Sequence, residues 1–247
     1  MRNGTKTLVM AGAREAHSIV SRLVTRGRNV IASLPEPERV FDPLPVPTRI
    51  GPFHDANALD QWFEDNQVAC VIDASHAFDA TISSRTAVLC AKRNLRYVRV
   101  LRPSWRPTGQ DRWIRYTSVE KAAKEIPANA RVFSNTGRAS LPEFAEFAGQ
   151  ALFLRQTQNP TAPPPFSFVS YVVGKPPFSQ RHEEQLFRDL RISMLICRNV
   201  GGAASMSKLL AARRLGVRVS MIDRPDPPVA MPVVETVAEA LAWEANP

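Results

Sequence analysis

Arg198, Asn199, Gly201, Gly202, Ser205 and Lys208 fall within one stretch, ICRNVGGAASMSKLLAA, from Ile196 to Ala212. An apolar run ends there in a cation and an amide. Two glycines then free the backbone to adopt positive φ and to approach a ligand closely. A helix N-terminus, which favours anions, follows. With Arg198 and Lys208 on either side, the stretch reads as an anion cradle. It is not a nucleotide-binding P-loop, because the GxxxxGK[ST] spacing is absent. A second such place is VFSNTGRAS, where Thr136, Gly137 and Arg138 follow Asn135. An arginine beside a glycine can bind a carboxylate or phosphate bidentately, although a polar turn would use the same residues. In VIDASHAF, Asp73, Ser75 and His76 close an apolar run. His76 is suited to hydrogen bonding or to proton donation near neutral pH, and Asp73 or Ser75 is equally suited to capping a helix. In MAGAREA, Gly12, Ala13 and Arg14 lead into a helix. Gly12 is the one glycine there, so this stretch alone reads as a tight turn.

The elements around these residues alternate. Strand-like runs at 7–11, 29–34, 48–50, 68–74, 97–101 and 113–117 are separated by helical periodicity at 14–26, 55–66 and 80–94. The pattern restarts with a helix at 118–126 and a strand at 131–134. SLPE, from Ser140 to Glu143, reads as a capping box opening a helix. Strands at 152–156, 168–173, 192–197 and 217–222, and helices at 179–190, 205–215 and 236–243, complete it. Such alternation predicts an α/β fold of parallel sheets built from βαβ units. The strands are too many for one small sheet, so we expect two lobes, 1–110 and 111–247. In such sheets ligands bind where strands run into helices. That places the chemistry in four loops: 12–14, 75–79, 135–140 and 198–207.

The chain has 247 residues, 44% of them hydrophobic and 22% charged, which suits a folded globular protein. No apolar run approaches the roughly 20 residues of a membrane span. With no export signal in sight, a cytoplasmic location is expected. Cys70, Cys90 and Cys197 are far apart and read as buried thiols. The four histidines show no metal-ligand spacing, so no metal is expected. The net charge of +9 suits an anionic partner. Nine of the cations lie between Arg85 and Arg115 with one acid, Asp111, and with Tyr97, Trp105 and Trp113 interleaved. That stripe could bind nucleic acid. Many of its cations fall between core positions and would simply face solvent, so nucleic acid is the minor reading.

Taken together, the loops resemble the precorrin-6A reductase family, the nicotinamide-dependent reductases of cobalamin synthesis. AGAREA stands where the family has a Gly-Gly-Thr loop followed by Glu-Ala, and VIDASHAF resembles its Asp-Ala-Thr-His-Pro-Phe motif. RIGPF, LRPSW, DRW, NTGR, KPPFS and CRNVGGAASMSKLLAAR follow in the family's order. The resemblance implies two Rossmann-like lobes with an inter-lobe cleft. It implies NADPH bound through Gly12, Ala13, Arg14, Ser33, Ser75 and His76, with His76 a candidate for the catalytic proton. It implies a polycarboxylate tetrapyrrole held by Thr136, Gly137, Arg138, Arg198, Asn199, Gly201, Gly202, Ser205 and Lys208. The chain departs from the family's pattern at Ala13, Ala77, Cys197, Arg198 and Val200. Glu36 and Glu38 precede Arg39 after the second strand, where two acids would repel a 2′-phosphate, so NADH stays open. A non-catalytic tetrapyrrole-binding relative and a nucleic-acid-binding protein are the alternatives.

Overall fold

The computed structural model describes residues 4–36 and 43–246. Glu38 and Arg39 lie outside the described residues. The chain forms two compact units, Met1–Pro103 with Pro225–Pro247, and Ser104–Arg224.

The first unit begins with β1 (Lys6–Ala11), α1 (Glu15–Thr25), β2 (Val30–Leu34), β3 (Thr48–Ile50), α2 (Ala56–Asp65), β4 (Val68–Ala74), α3 (Ala80–Lys92) and β5 (Arg96–Val100). The central strands are apolar along their length because helices cover both faces of a parallel sheet. α1 buries Ala16, Ile19, Val20 and Leu23, spaced to fall on one side of a 3.6-residue helix. Gly27, at φ +69°, follows its end. These side chains meet Val9, Ala11, Ile72 and Val98 on one face of the sheet. On the other face Leu8, Met10 and Val71 pack with Leu59 and Phe63 of α2 and Leu89 of α3. The strands lie in the order β5-β4-β1-β2-β3, all parallel.

The second unit contains β6 (Trp113–Tyr116), α4 (Val119–Lys124), β7 (Arg131–Ser134), β8 (Ala151–Gln156), β9 (Val169–Val173), α5 (Gln180–Asp189), β10 (Met194–Arg198), α6 (Ser207–Leu215) and β11 (Arg218–Ile222). Its sheet runs β6-β11-β10-β7-β8-β9, again all parallel. Phe133, Leu195, Cys197, Val219 and Met221 pack with Phe187 of α5 and Leu209 and Ala212 of α6. In each sheet the strand order reverses at one place, between β1 and β4 in the first and between β7 and β10 in the second.

Two expectations are corrected. The chain after 224 does not stay with the second unit. β12 (Val233–Val234) pairs with β5 and completes the first sheet. α7 (Val237–Ala245) sets Ala240 and Leu241 against α1. Thr236 and Glu239 form a capping box at the start of α7, and Arg96 donates to the carbonyls of Trp243, Glu244 and Asn246 at its end. The first unit therefore closes at 103 and resumes at 225. SLPE, in turn, forms no capping box. Arg138–Phe144 is a 3-10 helix with Pro142 inside it and no side-chain cap. The Ser140 hydroxyl is buried and donates to the Gly137 carbonyl at 2.8 Å, so it has turned away from the helix end.

Candidate functional site

The four loops named from the sequence follow β1, β4, β7 and β10, which are the strands flanking the reversal in each sheet. At such a point two loops part in opposite directions and leave room for a ligand above the strand ends.

In the first unit, the β1–α1 and β4–α3 loops are in contact. The Ala13 N–H donates to the Ala74 carbonyl at 2.9 Å. Gly12 has φ +154°, and a Cβ placed on it would sit 2.9 Å from the His76 nitrogen and 3.4 Å from the Ser75 Cα. Only glycine allows the loops this close. Arg14 is exposed at the N-terminus of α1 and caps nothing with its side chain. Glu15, in the first turn, faces Arg102 at 3.4 Å; the guanidinium offsets a carboxylate that would oppose an anion at this helix end. His76 is half-buried, and its Nδ1 accepts from the Phe78 N–H at 3.3 Å. That arrangement leaves the imidazole proton on Nε2. Ser33 lies buried near the end of β2, opposite Met10 of β1.

Beneath this pair of loops lies a residue that the sequence reading missed. Arg99 of β5 is 2% exposed, and its Nη1 lies 2.8 Å from Asp73 Oδ1. The Tyr97 hydroxyl donates to Asp73 Oδ2 at 2.6 Å, and the Ser75 N–H donates to Asp73 Oδ1 at 3.0 Å. Burial and the neighbouring Asp73 charge push the Tyr97 hydroxyl far above its usual range, so it remains a donor. The glycine cradle, the bare helix end and the braced β4–α3 loop fit a dinucleotide.

In the second unit, Gly137, Gly201 and Gly202 adopt φ of +87°, +70° and +81°, the freedom for which glycine was expected there. A 3-10 turn, Ala203–Ser205, intervenes before α6. Asn199 is buried, and its side-chain amide bonds both backbone groups of Trp105: Oδ1 accepts from its N–H at 2.9 Å, and Nδ2 donates to its carbonyl at 3.0 Å. The Trp105 indole donates to the Gly202 carbonyl at 2.8 Å. Lys208 is buried, donates to the Ser205 carbonyl at 2.6 Å and stands 5.1 Å from the Trp105 ring centre. Its ammonium points back to the loop. Thr136 also faces inward, with its hydroxyl between those of Ser134 at 2.9 Å and Ser140 at 2.6 Å. Arg138 is exposed and forms no ion pair among the described residues, while Arg198 is half-buried at the end of β10. Asn199, Thr136, Lys208 and Trp105 thus brace the loops on which Gly137, Arg138, Arg198, Gly201, Gly202 and Ser205 sit.

Most cations of the stripe have partners within their own unit. Lys92 and Arg93 pair with Asp60, Arg99 with Asp73, Arg102 with Glu15 and Arg115 with Asp223. Arg96 and Arg112 donate to backbone carbonyls. Of the nine, Arg85 and Arg106 have no such contact among the described residues. Cys70 and Cys90 have thiols pushed up to about 12, and Cys197 to about 11, by burial. None is a nucleophile at neutral pH.

The pattern of a precorrin-6x reductase CbiJ/CobK family model matches residues 6–245. The chain belongs to that family. Family membership makes it an oxidoreductase of cobalamin biosynthesis, a precorrin-6 reductase that works with a nicotinamide nucleotide. It is 34% identical over 244 residues to a precorrin-6A reductase of Rhodococcus erythropolis, covering 97% of each chain. It is 31% identical over 243 residues to that of Rhodobacter capsulatus, covering 98% of this chain and 96% of the other. A solved structure of CobK precorrin-6A reductase aligns with a TM-score of 0.89 at 31% identity, over 98% of this chain and 96% of that one. The family's two six-stranded parallel sheets are those described above. No helix among the described residues is long and apolar enough to cross a membrane.

Proposed function

We propose that the first unit of this reductase holds NADPH at the β1/β4 reversal and that the second holds the carboxylates of precorrin-6A at the β7/β10 reversal. When bound, the nicotinamide supplies a hydride to one carbon of a ring double bond. The residues of the chain supply orientation and charge. Gly12 and Ala13 bring the backbone against the pyrophosphate at the start of α1, with Arg14 beside it. Ser33 lies at the end of β2 on the ribose side, while the Ser75 hydroxyl, held by Arg99 and Ser83, braces the loop beneath the nucleotide. His76 offers its Nε2–H as a hydrogen-bond donor to the ligand. Arg138, Arg198 and the amides at Gly137, Gly201 and Gly202 take the acetate and propionate groups, with Ser205 at the rim. The single observation that supports this reading is that both units place their glycine-bearing loops at the reversal of strand order. The reaction would take place in the cytoplasm.

The test is a fluorescence titration with NADPH and NADH. NADPH is expected to bind in the micromolar range, and a chain that binds neither nucleotide would sink the reading. NADH is titrated beside it because the Glu36 carboxylate, exposed beyond β2, would repel a 2′-phosphate; NADH binding more tightly than NADPH would make NADH the cofactor. On the substrate side, Arg138→Ala is expected to raise the KM for precorrin-6A about tenfold with kcat unchanged. That corresponds to about 1.4 kcal/mol, near the lower end for a charge-assisted hydrogen bond. The exposed side chain leaves folding untouched, and a wild-type KM would remove Arg138 from the site.

A further inference from the structure

We infer that Arg99 is the positioning residue of the nucleotide site: from beneath, it sets the direction of the β4–α3 loop amides that face the ligand. The inference rests on the nucleotide binding at the β1/β4 reversal, as proposed above. Arg99 Nη1 donates to the Asp73 carbonyl at 2.9 Å and the Ser75 carbonyl at 3.2 Å, and Nη2 donates to the His76 carbonyl at 3.0 Å. Nη1 also reaches Asp73 Oδ1 at 2.8 Å and the Ser75 hydroxyl at 3.0 Å. One buried guanidinium therefore gathers the carbonyls of three residues in four.

A trans peptide is planar, with its N–H opposite its C=O. Drawing the Ser75 and His76 carbonyls down to Arg99 turns the N–H groups of His76 and Ala77 the other way. The Gly12 geometry agrees, since the atom nearest its absent Cβ is the His76 nitrogen. Ala77 is 9% exposed, and its N–H meets no acceptor among the described residues. A buried donor of that kind is costly unless something accepts from it. The Ala77 amide, turned away from Arg99, is placed to donate to an oxygen of the dinucleotide. Asp73 offsets the Arg99 charge, and Tyr97 holds the far carboxylate oxygen. Arg99 does not touch the ligand; it acts through the loop. Lysine cannot replace it, because an ammonium has one nitrogen where the carbonyls are spread over two.

The test compares nucleotide Kd, by fluorescence, for the wild type, Arg99→Lys and Gly12→Val. Arg99→Lys is expected to weaken nucleotide binding at least tenfold, with the KM for nucleotide rising in step. The KM for precorrin-6A should stay within twofold, a split that general loosening of the fold would not give. A folded Arg99→Lys with wild-type Kd overturns the inference. If that variant does not fold, Tyr97→Phe decides: a rise in Kd of twofold or more supports the inference, and an unchanged Kd overturns it. Absence of nucleotide binding by the wild type would instead overturn the parent reading. Loss of binding in Gly12→Val with none in Arg99→Lys leaves that reading standing and removes only the inference.

Discussion

Gly12→Val is expected to weaken nucleotide binding at least a hundredfold, equivalent to roughly 3 kcal/mol. Two effects combine. At φ +154° a branched side chain is strained, and its Cβ would drive into the His76 nitrogen at 2.9 Å, which is backbone and cannot swing aside. The loops must part, and the surface that approaches the pyrophosphate is lost. The measurement is a fluorescence titration beside a far-UV spectrum and a melting curve. Overpacking at one loop costs about 1–3 kcal/mol of stability, so a folded variant with its binding gone is the expected result. Near-normal affinity would move the nucleotide away from this loop.

The second large effect is on stability. Glu183 of α5 is 2% exposed and meets Arg155 of β8, 9% exposed, at 2.6 Å. Burial raises the Glu183 carboxyl and lowers the Arg155 guanidinium, so desolvation outweighs attraction for both. The Arg155 guanidinium also lies 4.1 Å from the Phe178 ring centre and 5.0 Å from that of Phe133. Glu183→Ala removes the carboxylate that pairs with a buried guanidinium and is expected to cost about 3–5 kcal/mol. Replacing both partners, as Arg155→Met with Glu183→Leu, should cost far less than the two single changes summed, because no charge is left stranded. Urea unfolding followed by tryptophan fluorescence in a Trp62→Phe, Trp243→Phe background, which leaves Trp105 and Trp113 of the second unit, reads this directly. A single-variant loss under 1 kcal/mol would mean that water reaches Arg155.

The alternation of strands and helices was legible throughout, and so were the four loops, because a parallel sheet imposes both the apolar runs and the place where polar residues collect. Asn199, Thr136 and Lys208 were legible as polar residues of these loops, while the direction of their side chains was not. Whether a polar side chain faces a ligand or braces its own loop depends on neighbours far along the chain, such as Trp105. Arg99 was read as one of a solvent-facing run of cations. The signal was present all the same: an arginine in a strand that should be apolar on both faces, and an aspartate in VACVIDA with the same anomaly. In the sheet they stand directly opposite, Asp73 against Arg99. The return of residues 225–247 to the first unit was hidden for a different reason. β12 has two residues, and nothing in so short a stretch says which edge it will join.

That return has a consequence for biosynthesis. As the chain leaves the ribosome, the first unit is translated almost entirely before the second, yet its outer strand and the helix that covers α1 follow the second unit. The intervening unit can close its own sheet while its predecessor still exposes the apolar side chains of α1 and the edge of β5. The nascent enzyme therefore passes through an interval in which the half made later is finished and the half made earlier is waiting to be sealed.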